Sequence, residues 1–295
     1  MLVHVMISYS QNQEDVVLSR LTKFVDAGTY VDVGAGHPII HNVTYDLYTK
    51  NWRGINIEPM AREASLLRET RPEDVTLQTA VSNFEGRITL YEAPLENRGS
   101  STTDLNLVTK HQQEGQEFRA VETDVCTLTS IFERHDIGEC HLLKIDVEGA
   151  EREVLQGLDL TRFRPWVIVV EATLPQSTID SSQLWEGILF DAGYQQTLFD
   201  GLNKFYVRND LPEIADTLST PTNVFDNWKT SEVNDLNNQA MDLQVRITEM
   251  HTNYIRESES FRKTLSDAEI YVQSLIERAE RAEEYARSLE KKISS

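Results

Sequence analysis

Apolar residues follow two rhythms along this chain. Through the first 207 positions, short β-branched or aromatic runs alternate with stretches whose apolar residues recur every three or four positions; from Leu236 onward only the second rhythm survives. The runs at 30–33, 54–57, 75–81, 87–91, 142–147 and 166–171 predict strands. Helical spacing predicts a helix within 8–27, carried by Val16, Val17, Leu18, Leu21, Phe24 and Val25, and further helices over 42–50, 62–70 and 150–158. Strands that alternate with helices predict an α/β fold with a mainly parallel sheet. Residues 194–207 hold two short apolar strands around Asp200 and Gly201, a hairpin signal that closes the sheet with an antiparallel strand.

The last fifth of the chain is a different object. From Leu236 the apolar seam runs through Ala240, Leu243, Ile247, Met250 and Tyr254, slips by four at Ser258, and resumes at Phe261, Leu265, Ala268, Val272 and Leu275. No glycine follows Gly201 and no proline follows Pro221. A heptad seam with one stutter predicts a coiled coil. Some 60 residues at about 1.5 Å each make a helix near 90 Å long, too long to bury its stripe on a 200-residue domain. The sequence therefore divides into a catalytic-sized domain at 1–210, a linker at 211–230 and a coiled coil at 231–295 that pairs with further copies of itself.

The chemistry gathers where strands end. Strand 30–33 breaks into Gly34-Ala35-Gly36-His37, a turn in which glycine lets backbone approach a ligand or take positive φ. About twenty residues on, the next strand ends in Glu58, the spacing at which a carboxylate grips ribose hydroxyls in a βαβ unit. A dinucleotide fingerprint would place glycine or alanine where Ile39 stands, preceded by Pro38, so a pyrophosphate lacks its seat. S-adenosylmethionine, with ribose and adenine but no phosphate, needs only the turn and the acid. The strand at 142–147 delivers Asp146 and Glu148, and the strand at 166–171 delivers Glu171. In open α/β sheets ligands bind outside the carboxyl ends of strands. Helix capping or plain turn formation is the alternative account of these glycines and acids. The polar stretch 96–118, centred on Gly99-Ser-Ser-Thr-Thr103, is a candidate acceptor-binding lid.

Composition narrows the classes. The net charge of −20 speaks against a nucleic-acid surface, which needs clustered Lys and Arg. Most of that charge lies before Asp216, since the residues from there on hold 15 acids against 10 bases. Cys126 and Cys140 have neither C-x-x-C spacing nor a histidine cluster beside them, which argues against zinc and against a disulfide framework. No apolar run is long enough for a transmembrane segment, and the start of the chain lacks an apolar leader, which gives a cytoplasmic reading.

Four segments together resemble the FkbM family of S-adenosylmethionine-dependent methyltransferases: Ser10-Gln-Asn-Gln-Glu-Asp15, Val31-Asp-Val-Gly-Ala-Gly36, Trp52-Arg-Gly-Ile-Asn-Ile-Glu-Pro59 and Leu143-Lys-Ile-Asp-Val-Glu-Gly-Ala-Glu151. The resemblance spans about Ser8 to Val207. It implies a class I methyltransferase (Rossmann-like) fold, with a seven-stranded sheet that ends in an antiparallel hairpin, and methyl transfer to a hydroxyl. It further implies that Asp32, Gly34, Ala35 and Gly36 hold the methionine part of the cofactor, Glu58 the ribose, and Ala80 with Val81 the adenine, with Gln13 and Glu14 beside it. Where the family has Leu-Asp ahead of the fourth strand, this chain has Thr127-Leu-Thr129, and that acid has no counterpart here.

A sugar hydroxyl needs a base, and Asp146, Glu148 and His37 are the candidates; a divalent metal on strand-end carboxylates is the other route to an acidified hydroxyl. The leading expectation is an O-methyltransferase acting on a glycan or polysaccharide, with the coiled coil as oligomeriser or spacer near a polysaccharide assembly. Two alternatives stand beside it: an O-methyltransferase for a small secondary metabolite, and a coiled-coil scaffold whose head only binds ligand.

Overall fold

The computed structural model describes residues 5–94, 101–102, 105–113, 115–174 and 177–293. In chain order the strands are β1 (Met6–Ser8), β2 (Thr29–Val33), β3 (Arg53–Ile57), β4 (Val75–Leu77), β5 (Ala80–Val81), β6 (Gly86–Glu92), β7 (Arg119–Cys126), β8 (Leu142–Ile145), β9 (Val167–Glu171), β10 (Tyr194–Phe199), β11 (Asn203–Arg208) and β12 (Trp228–Thr230). The helices are α1 (Glu14–Leu18), α2 (Tyr45–Thr49), α3 (Ala61–Thr70), α4 (Leu105–Gln113), α5 (Leu128–Arg134), α6 (Glu151–Gln156), α7 (Glu186–Asp191), α8 (Pro212–Leu218) and α9 (Ser231–Ile293).

Seven strands form the main sheet in the order β10-β11-β9-β8-β2-β3-β4. β4, β3, β2, β8 and β9 pair in parallel, and β11 runs against both β9 and β10. Alternation along each strand sorts side chains between two cores. Val31, Val33, Leu143, Ile145, Ile168 and Val170 enter one, while Tyr30, Leu142, Val167, Val169, Phe205 and Val207 enter the other. Strands buried on both faces read as near-continuous apolar runs, and so β8 and β9 stand out in the sequence.

Several expectations need correction. The run at 75–81 is not one strand: β4 stays in the main sheet, while β5 turns away and joins β7 and β6 in a separate three-stranded sheet of order β5-β7-β6. The strand expected at 87–91 is β6 and belongs to that small sheet. β7 escaped the sequence reading because its polar residues Arg119, Glu122 and Asp124 break the apolar rhythm. The expected helix within 8–27 is short: α1 gives way to a 3-10 turn over Ser19–Lys23. Of the expected lid at 96–118, residues 96–100, 103–104 and 114 lie outside the described residues. The described part holds α4 and leads into β7, with Thr102 bridged to Tyr91.

The segment 211–230 is not a linker. α8 buries Ile214, Ala215 and Leu218 in the second core. The buried Arg20 guanidinium donates to the carbonyls of Thr217, Thr220 and Pro221 and pairs with Asp226 at 2.8 Å. β12 adds in parallel to β1. Correspondingly, the first compact unit runs to Ser231 and the second from Glu232 to the end. That second unit is the single helix α9, 63 residues long. No described helix is long and apolar enough to cross a membrane.

A free linker and a docked helix respond differently to truncation. Leu218→Ala is expected to lower unfolding free energy by about 2–5 kcal/mol in urea titration, the usual cost for a buried leucine. A change under about 0.5 kcal/mol, typical of surface sites, would mean that α8 is not part of the core.

Candidate active site

The carboxyl ends of β2, β3, β8 and β9 lie on one rim because these strands are parallel, and the reversed β11 brings its first residue, Asn203, opposite Glu171. A cavity of about 870 Å³ opens along this rim. That volume falls in the range of small-molecule and cofactor sites.

The glycine turn after β2 is sterically prescribed. Gly34 has φ +73° and Gly36 φ +59°, and a Cβ on Gly34 would sit 1.8 Å from the Asp146 carbonyl oxygen. Only glycine lets the ends of β2 and β8 approach so closely. Glu58, buried at the end of β3, accepts from the Gly36 amide and the Met60 amide, each at 2.8 Å. Its carboxylate thus fastens the turn while keeping further lone pairs for a ligand. Burial pushes Glu58 up to about 7, against the pull of the Met60 and Gly36 hydrogen bonds.

Lys144 sits in the middle of the apolar β8, and the sequence reading gave it no role. Its buried ammonium donates to the Gly34 carbonyl at 2.9 Å and lies 3.3 Å from both Asp32 and Asp146. Burial alone would lower its pKa, but Asp146 and Asp32 outweigh burial and raise it. A lysine inside an otherwise apolar run was the signal available, since lysine is almost never fully buried unless paired.

Also lining the cavity, the carboxylates of Asp146, Glu148 and Glu171 offer oxygens all within 4.8 Å of one another. Burial raises Glu148, and Asp146 and Glu151 add to it; burial likewise raises Glu171, reinforced by Asp146 and Glu148. Glu148 takes φ +54°, a left-handed conformation that few side chains adopt without a reason in the surrounding structure. Across the rim, Glu14 accepts from Asn203 at 2.7 Å and from the Asn12 amide at 2.9 Å, and burial raises its pKa.

Most residues expected at a site do line this cavity: Glu14, Gly34, Ala35, Gly36, His37, Glu58, Ala80, Val81, Asp146 and Glu148. Two do not. Asp32 is wholly buried beneath the turn, where it accepts from Thr44 at 2.8 Å and pairs with Lys144, so it supports the turn from behind. Gln13 is the left-handed residue that opens α1, with its carbonyl taken by Val16 and Thr222, and Gln11 lines the cavity in its place. His37 lines the cavity, yet its Nδ1 accepts from the amides of Ile39 at 3.1 Å and Ile40 at 3.0 Å, a loop-forming duty.

The loop beyond His37 is held by Arg71. This fully buried guanidinium donates to the Pro38 carbonyl, to Thr44 at 2.9 Å and to Asn56 at 3.2 Å.

Together the rim, the glycine turn and the strand order define an α/β methyltransferase. The family profile of the methyltransferase FkbM domain matches residues 32–196, more than half of the chain. The chain belongs to the FkbM methyltransferase family. Among curated proteins it is similar to "Methyltransferase 1" of Beauveria bassiana (strain ARSEF 2860), at 33% identity over 119 residues, which cover 39% of this chain and 45% of that protein. This chain thus spans less than half the length of that relative. Among solved structures it is similar to a TehB-like SAM-dependent methyltransferase from Corynebacterium glutamicum, with a TM-score of 0.35 and 9% identity over 66% of this chain and 87% of that one. It is also similar to precorrin-6y C5,15-methyltransferase from Geobacter metallireducens, with a TM-score of 0.35 and 12% identity over 67% of this chain and 87% of the other.

Removing the ammonium would strand Asp32 as a buried, uncompensated charge. Lys144→Met is expected to destabilise the fold by about 3–5 kcal/mol in urea titration, as for a broken buried pair. An unchanged midpoint would show that the carboxylates do not rely on it.

Proposed function

We propose that the chain transfers the methyl group of S-adenosylmethionine to a hydroxyl of a sugar in a glycan. The carrying observation is that one cavity is lined both by the Glu58-clamped glycine turn and by the Asp146, Glu148 and Glu171 carboxylates. In this reading Glu58 accepts from the ribose hydroxyls, Ala80 and Val81 pack on the adenine, and the turn from Gly34 to Gly36 follows the methionine part. When bound, the cofactor supplies an already activated methyl on a positive sulfur. The protein's task is then alignment and removal of one proton.

Transfer would exchange the cofactor's sulfur–methyl bond for an oxygen–methyl bond and release S-adenosylhomocysteine, while a carboxylate of this chain takes the hydroxyl proton. Glu148 is the better base of the two strand-end candidates. Asp146 is paired with an ammonium, whereas Glu148 is raised towards working pH, where a general base is most effective. His37 serves as a loop-former in this scheme. The acidic rim disfavours anionic acceptors and suits neutral hydroxyls. The long helix α9 supports a polymeric acceptor over a small metabolite, because an oligomer gains from repeated sites only when its acceptor has them.

Glu58 supplies a pH test with a definite sign. Its free carboxyl titrates near 7 and the ribose contacts favour its ionised form, so donor affinity should rise with pH through that value. Calorimetry is expected to show about tenfold weaker binding at pH 6 than at pH 8, a dependence that Glu58→Gln removes. Glu58→Ala should cost about 1.5–3 kcal/mol at pH 8. Flat affinity across this range would remove the ribose assignment.

Turnover is tested by incubating the protein with methyl-labelled donor and a panel of glycans. Glu148→Gln is expected to lower kcat by about 10²–10⁴ with donor affinity unchanged, and chelator should leave the rate intact. Loss of activity in chelator, restored by magnesium, would replace the base with a cation on the three carboxylates. Transfer to small hydroxylated metabolites alone would overturn the glycan assignment.

A further inference from the structure

α9, taken by itself, carries a seam that no part of its own helix covers: Leu236 is 64% exposed, Ile247 59% and Leu275 42%. Reading the seam as heptads, with Val233 at a and Leu236 at d, sorts its residues by shape. The β-branched side chains Val233, Ile247 and Val272 all fall at a. Leu236, Leu243 and Leu275 fall at d, where the described helix has no β-branched residue. β-Branched residues at a with leucine at d favour two parallel strands, whereas trimers and tetramers want isoleucine at d.

The stutter gives an independent constraint. Consecutive seam steps of four occur from Met250 to Tyr254 and from Tyr254 to Ser258, and such an insertion locally unwinds a supercoil. Two parallel chains in register place their slips side by side, so both unwind together. Antiparallel chains with full overlap would set this slip against the region of Ala268, about twelve residues from the other chain's slip, and each would meet a regular heptad. Charge agrees: in a parallel pair, g faces the e position five residues on, which sets Arg278 against Glu283 of the second copy.

We infer that α9 docks on a second copy of this chain as a parallel, in-register, two-stranded coiled coil. The inference rests on the reading of α9 as an oligomerising coiled coil and adds its partner number and direction. Each head precedes its helix in the chain, so parallel pairing gathers two active sites at the same end of the seam. Two sites so tethered act on a repeating polymer with a raised effective concentration for the second site.

The test uses the full chain and single cysteines on the seam, since the native Cys126 and Cys140 are buried. Ser258→Cys is near-isosteric and Leu275→Cys lies about two and a half heptads further on. Sedimentation under reducing conditions is expected to give twice the 33.8 kDa chain mass for the wild type and both variants. Mild oxidation should then convert each variant, but not the wild type, to a covalent dimer. A mass of three or four chains overturns the pair while sparing the coiled coil. A two-chain mass without self-linkage at either site, but with linkage when Leu275→Cys is mixed with Ile247→Cys, overturns the parallel direction. A mass of one chain removes the coiled-coil reading itself.

Discussion

A buried ammonium has to be surrounded by anions and carbonyls, and the rim of this fold is arranged around that requirement. Lys144 rises from the middle of the central strand β8 and draws to itself Asp32 behind the glycine turn, the Gly34 carbonyl in the turn and Asp146 at the strand end. Each partner belongs to a different functional segment. Charge compensation in a low-dielectric interior therefore fixes the geometry of the site before any ligand arrives. Glu58 repeats the device from the next strand, with two backbone amides in place of a cation.

The rim is nonetheless short of positive charge. Asp146, Glu148 and Glu171 converge beyond the reach of a full set of cations, and burial with mutual repulsion favours protons on Glu148 and Glu171. A sulfonium cofactor is a cation, and its approach would favour the ionised forms of these acids, which a phosphate-bearing cofactor would disfavour. Electrostatics and the missing pyrophosphate seat thus argue for the same ligand from different directions.

Elements buried on both faces were legible from sequence, because nothing but apolar residues can fill them: β2, β3, β8 and β9 announce themselves, and so does the Asp200-Gly201 hairpin. The acids that end these strands were legible for the topological reason that parallel strands share a rim. What escaped depended on tertiary context. β7 is the half-exposed middle strand of a small sheet, and its charged residues Arg119, Glu122 and Asp124 interrupt the apolar rhythm. The segment 211–230 looks like a polar connector, and its docking depends on partners distant in the chain: the second core, β1 and Arg20. Asp32 and Gln13 stand beside cavity residues in sequence, but strand alternation turns Asp32 inward and a left-handed backbone turns Gln13 into the start of α1. Lys144 was in plain view within a motif, and its partners, 112 and two residues away in the chain, are brought together only by the sheet.

The central claim is that this rim is a seat for a sulfonium nucleoside. A crystal structure of the full chain with S-adenosylhomocysteine tests it most directly. The expected density puts the ribose hydroxyls on the Glu58 carboxylate, the adenine against Ala80 and Val81, and the sulfur facing Glu148. A nucleoside bound elsewhere, or a rim that stays empty at saturating ligand, would contradict it.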